Sequence, residues 1–304
     1  MIARLRQRNA LPALGLVAVT AVWGSTFVLI KGVVPDLPVL DFLAVRFTIA
    51  AVVMLLLFSR QVRALSRDQV RRAVLLGLVY GAAQILQTYG LSMTPAAVSG
   101  FVTGTYVVLT PVIGALVLRQ RTPSTTWVAV ALATAGLALL ALRGLSVGTG
   151  ELLTLGSALL YAVHIVGLGQ WSGVGDAVGL ATVQMVAIGL LCALVALPGG
   201  VSLPATGGAW AAVLYTAVIA GALALLVQTW AQAHLTATRA AIIMTMEPVF
   251  AAVFAVAFGG EYFTLRMLAG GLLVLSAMFV AELPARRTGD YSPDPAPAGL
   301  HGPT

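Results

Sequence analysis

One carboxyl group stands inside a long apolar run, Glu247 in Thr245-Met246-Glu247-Pro248. An ionisable side chain at membrane depth costs about 2.5–3.5 kcal/mol on insertion scales, so it needs a partner or a task. Pro248 lacks an N–H and disturbs the local helix, which could admit water beside the carboxyl. A carboxyl exchanging its proton there could couple proton movement to a solute. The blander alternative is a structural carboxyl, protonated or paired with Arg46. Arg46 lies about two turns inside its own apolar run. It could meet Asp41, snorkel outward, or bind an anionic group.

Hydrogen-bonding side chains recur at helical spacing in other runs. Gln84, Gln87 and Thr88 share one face, as do Thr103, Tyr106 and Thr110. Gln228, Trp230 and Gln232 form a third group. A single buried glutamine can be interhelical glue, the expectation for the isolated Gln184, but several polar groups on one face suit a wet cavity better. His164 could relay protons or hydrogen-bond a neighbouring helix. Trp23 lies too deep for an interfacial belt, leaving packing or a cavity wall. The candidate solute contacts are therefore Trp23, Gln84, Gln87, Tyr106, His164, Gln228 and Trp230. Glu247 is the candidate coupling group, and Arg46, Pro111, Pro248 and Glu261 are structural or gating candidates.

Catalytic signatures are missing from the sequence. It contains no paired carboxylates, no His-x-x-Glu-His, no nucleophile–base pair and no Gly-x-x-x-x-Gly-Lys-Ser/Thr. The single Cys192 sits in an apolar run and reads as a small buried hydrophobe. No enzyme, cofactor or metal site is expected. An integral-membrane enzyme acting on lipid-linked substrates and a non-transporting scaffold remain as alternatives.

The elements that must position these groups follow from hydropathy. The chain has 304 residues, 60% hydrophobic and only 9% charged, with a mean hydropathy of +0.99. Ten apolar stretches appear, at 12–32, 39–59, 73–92, 96–118, 124–143, 152–172, 177–197, 209–230, 237–258 and 264–283. Each is about long enough to span a bilayer. Shifting the sequence by 141 residues lays the second five on the first five. Gln87-Thr88-Tyr89 falls on Gln228-Thr229-Trp230, His164 on Trp23, and Gln120 on Glu261. Five spans per half is an odd number, so the second copy enters from the opposite side, the sequence mark of a secondary transporter. The predicted fold is all-α integral membrane, ten transmembrane helices as two inverted five-helix repeats. Its parts are a cytoplasmic segment 1–11, repeats at 12–143 and 152–284, a junction 144–151, and a disordered cytoplasmic tail 285–304. The first run, continuous from Leu11 to Ile30, reads as an uncleaved span. Pro111 falls on Ala252 in the same register, which predicts that the halves bend at different depths.

Net charge is +7, but its placement argues against a nucleic-acid partner. With a cytoplasmic N-terminus, 13 of the 17 basic residues fall in inward-facing loops or termini, the positive-inside distribution. Both termini are expected in the cytoplasm of a bacterial inner membrane. The expected partners are a small-molecule substrate and membrane lipids. Small residues at four-residue spacing, Gly77 with Gly81 and Gly100 with Gly104, allow close helix packing within a monomer or in a homodimer.

These stretches resemble the drug/metabolite transporter superfamily, in its EamA-like branch. The matching segments are Trp23-Gly24-Ser25-Thr26-Phe27-Val28, Ala44-Val45-Arg46-Phe47 and the glycine- and threonine-rich run from Gly100 to Pro111. The strongest is the run from Ala237 through Glu247-Pro248 to Phe250, followed by Gly260-Glu261. The resemblance implies ten helices in two inverted repeats around a central cavity, and export of amino acids or related metabolites. One departure stands out: Arg119-Gln120-Arg121 replaces a Gly-Glu pair expected at the end of the first repeat's fourth helix.

Overall fold

The computed structural model describes residues 2–119, 124–141, 148–260, 262 and 264–282. Gln120, Arg121, Glu261, residues 144–147 of the 144–151 junction and the 285–304 tail lie outside the described residues. The described chain is all-α. Its helices are α1 Ile2–Val33, α2 Val39–Arg63, α3 Arg67–Met93, α4 Ala96–Thr103, α5 Tyr106–Leu118, α6 Ser124–Ala141 and α7 Thr149–Trp171. They continue with α8 Ala177–Ala196, α9 Gly207–Leu214, α10 Ala224–Gln232, α11 Ala237–Met244, α12 Met246–Phe258 and α13 Leu265–Glu282. A π-helical segment, Tyr215–Leu223, joins α9 to α10.

Among the described residues, eight helical stretches are long and apolar enough to cross a membrane: Ala10–Val33, Val39–Arg63, Arg67–Met93, Ala96–Leu118, Thr149–Trp171, Ala177–Gly199, Gly207–Gln232 and Ala237–Phe258. The chain is a multi-pass membrane protein. Leu56, Leu116, Phe258 and Phe279 are 73–78% exposed, which lipid tolerates and water does not. Polar caps mark where chain enters the spans. Ser66 and Gln69 form a reciprocal capping box at the start of α3. Thr236 accepts from the Arg239 amide at the start of α11.

Packing is built on close approach. The most extensive interfaces are α2 on α8, α3 on α7, α6 on α13 and α1 on α12. A Cβ added to Gly77 would lie 2.6 Å from the Gln184 carbonyl oxygen and 2.7 Å from Ala187 Cβ. The separation of α3 and α8 therefore depends on a missing side chain, and this glycine packs inside one chain. Gly24 does the same for α1 on α12, where a Cβ would sit 2.6 Å from that of Phe250.

The spans bend at equivalent positions, which overturns the bend depths expected from the prolines. One break lies at Gly104–Thr105, between α4 and α5, and the other at Thr245, between α11 and α12. Gly104 and Thr245 are 141 residues apart. The reason is local hydrogen bonding rather than proline alone. The Thr105 hydroxyl donates to the Val102 carbonyl at 2.7 Å, and that of Thr245 to the Ile242 carbonyl at 2.5 Å. Each bond reaches three residues back and tightens one turn towards 3₁₀ geometry. Pro111 lies within α5, well past its break.

Gly77→Ala should lower thermal stability in detergent by about 1–3 kcal/mol, the usual cost of overpacking. An unchanged melting temperature would mean that α3 and α8 separate freely, against the contact described.

Candidate functional site

A cavity of about 40 Å³ lies where the broken spans meet their neighbours, room for a few waters and below the roughly 300–1,000 Å³ of open small-molecule sites. α3 supplies one wall through Tyr80, Gln84, Gln87, Thr88 and Leu91, a single face at helical spacing. Trp23, Thr26, Phe27 and Ile30 come from α1, Arg46 from α2, and Tyr161 and Ile165 from α7. Gln228 comes from α10, and Thr103, Tyr106, Met244 and Glu247 flank the two helix breaks.

Three spans are tied by one chain of side-chain hydrogen bonds. Gln84 Nε2 donates to the Tyr161 hydroxyl at 2.6 Å. That hydroxyl donates to Gln87 Oε1 at 2.8 Å, and Gln87 Nε2 donates to Thr103 Oγ1 at 3.1 Å. Tyr80 meets Tyr161 edge-on, with ring centres 5.4 Å apart. The network orients both glutamines, which line the cavity.

The second break carries Glu247. Pro248 has no N–H for the Met244 carbonyl one turn back, so that carbonyl needs another donor. The Tyr106 hydroxyl supplies it at 2.7 Å. Tyr106 and Glu247 are themselves 141 residues apart, each just past its break and each facing the cavity. Glu247 is 6% exposed and sits in the first turn of α12, the end of a helix that favours negative charge.

Arg46 and Trp23 both reach the π-helical segment. Arg46 Nε donates to the Thr216 carbonyl at 3.0 Å, and Trp23 Nε1 to that of Ala220 at 2.9 Å. The Arg46 guanidinium stacks 4.6 Å from the Phe47 ring centre. Pairing of Arg46 with Asp41 does not occur, because the Asp41 carboxylate accepts instead from the Ser202 amide at 3.0 Å. Arg46 and Glu247 both line the cavity without forming a salt bridge to each other.

The cavity brings together Trp23, Gln84, Gln87, Tyr106, Gln228, Glu247 and Arg46 from the sequence candidates. His164 stands behind the wall. It is fully buried, its Nε2 is 2.8 Å from Gln184 Oε1, and its ring is edge-on to Tyr80. Trp230 packs on the core beside His234, outside the lining. Pro111 and Pro248 are buried within their spans and do not line the cavity, and Glu261 lies outside the described residues. Sequence reasoning missed Tyr80 and Tyr161. Tyr80 precedes Gln84 by four residues and Tyr161 precedes His164 by three, so same-face spacing could have found both. Among the described residues, no group of three or more His, Cys, Asp or Glu side chains is placed to hold a metal.

A helical membrane fold around a cavity lined by hydrogen-bonding side chains fits a solute carrier, and comparison with known proteins agrees. The EamA-like transporter family model matches residues 11–142 and again 148–282. An uncharacterized transporter of Archaeoglobus fulgidus is 31% identical over 271 residues, covering 89% of this chain and 85% of the relative. A solved crystal structure of another protein has a TM-score of 0.74, covering 90% of this chain and 98% of its own, at 18% identity, a likeness of fold alone. The chain belongs to the EamA-like transporter family, within the drug/metabolite transporter superfamily. It is a membrane transporter rather than an enzyme.

Tyr106→Phe keeps the ring and removes the donor to the Met244 carbonyl. It should destabilise the protein by about 1–3 kcal/mol, the cost of one buried unsatisfied acceptor. A thermal melt equal to wild type would show that the carbonyl finds another donor.

Proposed function

We propose that this protein exports small organic metabolites such as amino acids by alternating access, with proton exchange at Glu247 driving the cycle. The observation that carries this reading is the cavity itself. It sits where both spans are broken, it is lined by oriented glutamines and tyrosines, and it contains one carboxyl group. Few charges and several aromatic side chains suit neutral or zwitterionic, partly apolar cargo.

The architecture in this reading is ten spans in two inverted five-helix repeats, 12–143 and 152–284, joined by 144–151. α6 and α13 would complete the count, since 18 residues each give about 27 Å of helix. The packing supports it. α2–α8 and α6–α13 pair spans that are equivalent in the 141-residue register. α3–α7 matches α10–α1, and α1–α12 matches α7–α5. Such a pattern is what a pseudo-two-fold axis produces, and the twofold match of the family model is consistent with it. The distribution of arginines supports an inner-membrane location with both termini cytoplasmic.

Reconstitution into proteoliposomes tests the mechanism. With an inward proton gradient, labelled amino acids should move against their own gradient through wild type. In Glu247→Gln that uphill movement should fall to the level of protein-free vesicles, while counterflow continues. Equal gradient-driven flux in both proteins would remove Glu247 from coupling, and no flux of any amino acid would discard the cargo class.

A further inference from the structure

We propose that Arg46 anchors a carboxylate of the cargo, so that the cavity selects amphoteric solutes, oriented with the carboxylate at Arg46 and a donating amine towards Gln228 and Glu247. This rests on the transport reading above and assigns a recognition role within it. Arg46 is 3% exposed, yet no acidic side chain among the described residues forms a salt bridge with it. Its inner edge is used by the Nε bond to the Thr216 carbonyl, and one face by the Phe47 ring. Its two terminal nitrogens donate to no acceptor among the described residues, and the side chain lines the cavity. A purely structural arginine at this depth would have those donors satisfied by carbonyls or a carboxylate. The remaining edge of a guanidinium is a planar fork that matches a carboxylate bidentately.

The complementary end of the site is equally incomplete. Gln228 is 2% exposed. Its Nε2 is committed to Gln232 Oε1 at 3.1 Å and Met244 Sδ at 3.7 Å, which leaves Oε1 buried without a donor. An amine supplies the donor that this oxygen lacks, and its positive charge suits Glu247. Tyr80 and Tyr161 line the same cavity as Arg46 and Glu247. A guanidinium and a carboxyl that line one cavity without pairing form a template for a molecule that carries both an acid and an amine.

The test is ligand binding by the purified full chain, followed by thermal shift and calorimetry. The probes are the common proteinogenic amino acids, the carboxamide of each, and the decarboxylated amine of each. The expected result is that at least one amino acid stabilises wild type and that its carboxamide and amine bind about 30-fold or more weakly. Arg46→Gln should lose that discrimination and Arg46→Lys should keep part of it. Should Arg46→Gln fail to fold, the comparison of acid with carboxamide on wild type still decides. The proposal is overturned if carboxamides bind as tightly as acids, if no amino acid stabilises wild type, or if a folded Arg46→Gln discriminates as wild type does. Flux in proteoliposomes separates the two readings. Carboxylate-dependent binding without flux keeps the anchor and sinks transport, whereas flux indifferent to the carboxylate keeps transport and sinks the anchor.

Discussion

In a bilayer, every backbone N–H and C=O must find a partner inside the protein, and the site of this transporter is organised by that requirement. Pro248 deprives the Met244 carbonyl of its usual donor, and Tyr106 reaches across from the other broken span to supply one. The π-helical stretch Tyr215–Leu223 turns wider than an α-helix, and two of its carbonyls accept from Arg46 and Trp23. In each case a backbone irregularity is stabilised by a side chain that also lines the cavity. The irregularities and the cavity are therefore one feature, because a carbonyl exposed at membrane depth must face either a protein donor or a wet space.

That linkage explains which parts were legible in the sequence. Apolar runs of membrane-spanning length and the absence of catalytic spacing were plain, because hydropathy acts over some 20 residues and averages out local detail. Gln84, Gln87, Tyr106, Gln228 and Glu247 were also legible, since each is a polar side chain where polarity is costly. The positions of the breaks were not. Proline is a visible signal, and it misled for Pro111, because the turn tightens where a threonine hydroxyl bonds back to the chain. Thr105 looks like any other threonine until its neighbours are placed. The π segment Tyr215-Thr216-Ala217-Val218-Ile219-Ala220-Gly221-Ala222-Leu223 has no distinguishing pattern. Its carbonyls meet Arg46 and Trp23 from other spans, which is tertiary information.

His164 shows the opposite error. In the 141-residue register it matches Trp23, and its type allowed either a proton relay or a hydrogen bond to a neighbouring helix. Trp23 does face the cavity, but Tyr80 stands between His164 and the interior, and Gln184 takes its ring nitrogen. A register carries backbone position faithfully and side-chain environment poorly, because each neighbour in the packed interior is chosen separately.

The pair Tyr106 and Glu247 carries this furthest. They hold one register position, immediately past two equivalent breaks, and both face the same space. Two carboxyls there would repel each other and leave the Met244 carbonyl without a donor. Two tyrosines would satisfy the backbone and leave the site without an acidic group. The two positions differ accordingly: the first half contributes the hydroxyl that donates to the carbonyl at the second half's break, and the second half contributes the carboxyl. The asymmetry sets a hydroxyl of one broken span against the Met244 carbonyl that Pro248 leaves open in the other.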